Sequence, residues 1–161
     1  MSMNTSTSFQ PLWDFALAFY AQPQIAETCV HLQDSYKVNV CLLIGLRWLD
    51  ESGKHLSDAQ FADLQTYIQV WTQQVVEPLR SLRRLLKQPV AAYPQDETQA
   101  QIRISIKQAE LLAEKKLLLE IEAWSQQLSQ TQDSLIKSNL DVYLSALAVS
   151  QDVIKLLQRK F

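Results

Sequence analysis

The chain is predicted to be all-α, a bundle of about six helices of which two are long. Three observations lead there. Apolar residues recur at three- and four-residue steps in every segment. The one stretch that alternates like a strand, Arg103-Ile104-Ser105-Ile106, has helical flanks on both sides. The 161 residues contain only two glycines. Tight hairpins and phosphate-cradling loops both need glycine at positive φ, and neither G-x-G-x-x-G nor G-x-x-x-x-G-K-[ST] occurs.

From Pro11 to Ala21, Leu12, Phe15, Ala16 and Phe19 keep helical spacing, with Pro11 suited to a first turn. Pro23 opens a second helix through Ile25, Cys29, Leu32 and Tyr36. Asn39 is placed to cap a third, rich in Leu42, Leu43, Leu46 and Leu49. Asp50–His55, with one of the glycines, reads as the loop that ends it. Ser57 and Gln60 form a capping box for a long helix that runs to Lys87, with a kink or break expected near Val76 because Pro78 lies inside it.

Gln88–Glu97, "QPVAAYPQDE", carries two prolines and is the clearest boundary in the chain. Asp96–Trp124 follows as a second long helix, with Ile102, Ile106, Ala109, Ala113 and Leu117 on one stripe and Arg103, Lys107, Glu110 and Glu114 on an opposed polar one. Ser125–Ser134 is a glutamine- and serine-rich hinge or solvated turn. Ser138–Arg159 has two adjacent apolar stripes, which leave self-association through Val142, Val149 and Val153, a homodimer built on the C-terminal helix, as an open expectation. The predicted organisation is a disordered tail over 1–10 and a single helical domain over 11–161, its halves being 11–88 and 95–161.

Composition narrows the function. A net charge of −2 argues against a protein that coats nucleic acid over its whole surface. Two cysteines, Cys29 and Cys41, with no secretory leader point to a reduced cytoplasm. The longest apolar run, Val38–Leu49, is interrupted by Arg47 and is shorter than the ~20 residues of a membrane span. Neither histidine, His31 or His55, sits in a metal-binding pattern, and Cys29 and His31 point to divergent helix faces. Glu110 and Glu114 form an E-x-x-x-E pair without the E-x-x-H partner of a di-iron bundle. No cofactor, metal or catalytic residue is predicted.

One segment stands out. Pro78–Lys87, "PLRSLRRLLK", holds four cations and no acid. Counted at about 100° per residue, Arg80, Arg83, Arg84 and Lys87 share one ~100° arc. Leu79, Leu82 and Leu86 share the neighbouring arc, which Trp71 and Val75 extend, so the leucine side is expected to pack and the guanidinium side to face outward. Arginine forks suit bidentate contacts to phosphate or carboxylate. The bland alternative is that these cations complement a helix C-terminus and pair with Glu110 and Glu114 across a helix interface. Trp13, Tyr20, Trp48 and Trp71 are candidates to line a pocket behind the stripe, although such rings are more often core.

"LWDFALAFY", "LQDSYKVNVCLL", "RWL" and above all Trp71 followed by "PLRSLRRLLK" resemble a family of short bacterial proteins known as domain of unknown function 2390, with a looser likeness through "KQAELLAEKKLL". An amide residue is expected where Cys41 stands, a departure from that pattern. The resemblance implies no activity to carry over. The expected function is therefore a non-enzymatic, cytoplasmic interaction protein that holds an anionic partner, an acidic protein surface or RNA, on Arg80, Arg83, Arg84 and Lys87. The alternative is a helical pocket for a phosphate-bearing small amphiphile, or an enzyme acting on one.

Overall fold

Helices α1 (Leu12–Tyr20), α2 (Ile25–Tyr36) and α3 (Val40–Glu51) follow one another through short turns in the structure, a computed structural model that describes residues 9–130 and 136–161. The protein is 71% helical, and the described residues contain no strand. Left-handed Lys37 (φ 57°) ends α2, and Asn39 caps α3 as expected, its Oδ1 accepting from the Leu42 N–H at 3.1 Å. The chain divides into two compact units, one built from the residues up to Ser57 together with Ser125 onward, the other from Asp58–Trp124.

In the first unit α3 is the central rod. All nine residues from Cys41 to Leu49 are buried, as befits a helix apolar nearly all round. Around it lie Leu12, Phe15 and Phe19 of α1, Cys29 and Leu32 of α2, Leu140 and Leu144 of α7 (Asn139–Ala146), and Ile154 and Leu157 of α8 (Gln151–Leu157). Burying each such side chain contributes about 1.5–3 kcal/mol.

The Arg47 that interrupts this apolar helix is itself only 4% exposed. Its Nε donates to the Leu157 carbonyl at 3.0 Å and its Nη2 to those of Gln158 and Arg159 at 3.3 Å each, while Nη1 pairs with Glu51. A fixed cation thus closes the carbonyl end of α8.

Less than one turn further along the same helix, Asp50 accepts from the Asn139 and Leu140 N–H groups at 2.7 and 3.1 Å, capping α7. Asn139 ties the loop after α3, donating to the Lys54 carbonyl and accepting from the Leu56 N–H. Burial pushes the Asp50 carboxyl up from 3.8 to about 6, against the pull of those two N–H donors and of Arg47. A carboxyl raised in the folded chain favours folding most when protonated. Its contribution is therefore full below about pH 4 and lost as pH rises through about 6, a fall of about 3 kcal/mol for a shift of about two pH units. Urea titrations at pH 4 and pH 7 should show that fall in wild type and a flatter profile in Asp50→Asn.

Of the expected tail over 1–10, Gln10 accepts from the Trp48 indole N–H at 2.8 Å and the Phe9 ring lies 5.8 Å from that indole. Residues 1–8 lie outside the described residues. The C-terminal segment is two short helices rather than one, because the chain turns at left-handed Ala148 (φ 61°). The break takes its valines off a common face. Val149 is buried, Val153 half-buried and Val142 exposed.

The second unit is a helical hairpin. One arm is α4 (Asp58–Trp71), a π turn (Thr72–Val76) and α5 (Glu77–Leu85); the other is α6 (Glu97–Ser125). The break expected near Val76 takes the form of that π turn. Pro78 has no N–H to donate to the carbonyl four residues back, and the Thr72 hydroxyl donates to the Ile68 carbonyl at 2.8 Å, both of which loosen the α-helical ladder. The proline-marked stretch after Lys87 is the tip of this hairpin, not the border between the units. Gln99 Nε2 closes the tip by donating to the carbonyls of Leu86 and Gln88. Of the glutamine-rich stretch, Ser125 ends α6 and Leu128 is buried, while residues 131–134 lie outside the described residues.

Candidate functional site

Contacts set the register of the hairpin. Asp63 accepts from the Trp124 indole at 3.0 Å, the Tyr67 hydroxyl donates to Glu120 at 2.6 Å, and the Trp71 indole donates to the Ala113 carbonyl at 3.0 Å. Farther along, Arg103 Nε donates to the Arg83 carbonyl at 3.3 Å. The two arms run antiparallel with one alignment from end to end. Beside α4 the seam is apolar, with Leu64, Ile68, Val76, Ala113 and Leu117 buried.

Beside α5 the seam is ionic. Arg83 Nε donates to Glu110 Oε2 at 2.5 Å and its Nη2 to Oε1 at 3.2 Å, a two-pronged grip. Arg80 bridges the two acids, Nε to Glu110 at 3.3 Å and Nη2 to Glu114 at 3.0 Å. Burial alone would raise the Glu110 carboxyl, but the Arg83 and Arg80 guanidiniums outweigh it and hold it below the usual range. Glu114, desolvated and facing the Glu110 charge, stays raised despite Arg80.

Thus Arg80 and Arg83, expected to face outward, point into the hairpin. Exposed instead are Leu82 (43%) and Leu85 (57%), and no residue of α5 is fully buried. The cause is the π turn. Counted as unbroken α-helix, the face of Leu64, Ile68 and Trp71 continues through Val75, Leu79, Leu82 and Leu86, as anticipated. The π turn inserts one residue into the count, about 100° of rotation, and the inward series becomes Leu64, Ile68, Val76, Arg80, Arg83. Arg84 and Lys87, the other two cations of the stripe, are exposed.

Trp13, Tyr20 and Trp48 belong to the first unit and Trp71 to the second. Trp48 is core, and Trp71 lies under the Lys116 ammonium, 5.2 Å from the ring centroid. A cavity of about 160 Å³ in the first unit has Phe19, Pro23, Ile25, Arg159, Lys160 and Phe161 among its lining residues. Burial pushes the Cys29 thiol up to about 12, which leaves it un-ionised. Among the described residues no three His, Cys, Asp or Glu side chains are grouped to hold a metal ion, and no helix is long and apolar enough to cross a membrane.

A family model described as protein of unknown function, DUF2390, matches residues 11–121. The chain belongs to this family. The DUF2390 span takes in α1 to α5, the π turn, and α6 as far as Ile121, so both faces of the ionic seam fall inside it, while α7 and α8 fall beyond it. No curated protein and no solved structure matches the chain.

Proposed function

We propose that this DUF2390 protein is a non-enzymatic interaction protein of the cytoplasm, and that it docks an acidic, amphipathic protein segment on the outer side of α5. The observation that carries the reading is the rotation at the π turn. A strongly amphipathic helix turns Arg80 and Arg83 into the seam and leaves Leu82 and Leu85 in water, with Arg84 and Lys87 also exposed. Apolar anchors bounded by cations suit a helix whose leucines are flanked by carboxylates. Two buried, unbridged thiols fit a reducing compartment.

The test is an amide-shift titration with three probes: a helical peptide of leucine and glutamate, inorganic pyrophosphate, and a short single-stranded RNA. The peptide should move the amides of Leu82, Leu85 and Lys87, more weakly as salt rises. Leu85→Ser should weaken it about tenfold or more, the loss expected of a buried anchor. Shifts from RNA or pyrophosphate and none from the peptide would overturn the protein-partner reading.

A further inference from the structure

Outside its hairpin seam, α6 carries a second apolar face. Ile104, Leu111, Leu112 and Leu119 are 53%, 54%, 67% and 48% exposed. At about 100° per residue all four fall within one ~100° arc, opposite Ala113 and Leu117, and at 1.5 Å per residue they extend over about 22 Å of helix. Singly exposed leucines need no explanation, but four in one stripe do.

Their order is a palindrome. Leu111 follows Ile104 by seven positions, and Leu119 follows Leu112 by seven. We infer that this face is where a second copy of the chain packs, α6 against α6, antiparallel about a two-fold axis between Leu111 and Leu112. In a two-fold interface each residue meets its mirror position in the sequence. Ile104 of one copy then lies level with Leu119 of the other, and the two Leu111-Leu112 pairs meet at the axis.

The polar residues of the same face obey the symmetry. Gln108 comes level with Lys115 and Gln101 with Glu122, so no two like charges confront each other. Lys107 comes level with Lys116, but these lie about 180° apart around the helix, and the two-fold axis leaves them on opposite sides of the pair. An unrelated partner would require no palindrome. A second copy does, and the surface differs from the α5 face, so either can fail without the other.

Sedimentation equilibrium of the full chain from about 1 to about 200 µM tests the inference. Wild type should pass from one copy to two, and Leu112→Glu should weaken the association at least tenfold with an unchanged far-UV spectrum, since that side chain is mostly in water. As a second probe, Leu112→Cys should give a covalent dimer on mild oxidation, whereas Lys116→Cys should not. A wild-type chain that stays single throughout, a dimer that survives Leu112→Glu, or one that is lost in Val142→Glu instead, would overturn the inference.

Discussion

Arg47→Met will lower the unfolding free energy by about 3–5 kcal/mol, the cost of breaking a buried charged network from one side. Methionine fills much of the aliphatic volume but donates nothing. The Leu157, Gln158 and Arg159 carbonyls lose their shared donor where α8 ends, and the buried Leu157 acceptor, left dry, costs about 1–3 kcal/mol, while the half-buried Gln158 and exposed Arg159 carbonyls can turn to water. Arg47→Lys should recover only part of the loss, because a single ammonium cannot reach three carbonyls and Glu51 with the geometry of a guanidinium. Urea denaturation followed by far-UV dichroism measures both. The result would fail if Arg47→Met fell within 1 kcal/mol of wild type. Hydrogen exchange would localise the loss, with α8 amides losing protection first.

Glu110→Gln comes next, at about 2–3 kcal/mol. The value lies below that of a fully buried pair because Arg80 and Arg83 are each 18% exposed and recover some hydration. The discriminating measurement is a double-mutant cycle. Arg83→Met with Glu110→Leu replaces the charges by matched apolar groups, and such a replacement is often neutral or stabilising. Its stability should return to within about 1 kcal/mol of wild type, while each single change is costly. Equal losses in single and double variants would mean that the seam is held by something other than these ions. The pairing also has a direction with pH. Glu110 is held below its ordinary range, so its contribution is present above the unfolded carboxyl pKa and is lost as the medium is acidified through the folded one.

Most of the fold could be read from spacing. The Asn39 cap, the breaks at Pro23 and after Lys87, and the two long arms all follow from local rules, since each depends on residues a few positions apart. The alternative pairing of the arginines with Glu110 and Glu114 was also readable, because a cation stripe and an acid stripe of matching spacing stood on consecutive helices. What misled was the assumption of one helical period from Trp71 to Leu86. Pro78 signals a disturbance but not its kind: a kink, a break and a π turn leave the following residues facing three different ways. Arg47 and Asp50 were opaque for another reason. Their partners, Leu157 to Arg159 and Asn139, lie about ninety residues or more away and are mostly backbone groups, which carry no mark in a sequence.

The π turn also bears on how such a surface changes over generations. Between Trp71 and Pro78 it is the number of residues, not their identity, that decides whether guanidiniums or leucines face the second arm. Loss of one codon there would leave composition, net charge and amphipathic pattern almost untouched, yet the leucines would go to the seam and the arginines to water. Substitutions reach such an exchange only through many intermediates with mismatched seams. A length change reaches it in a single mutational event, with the same side chains carrying the new display.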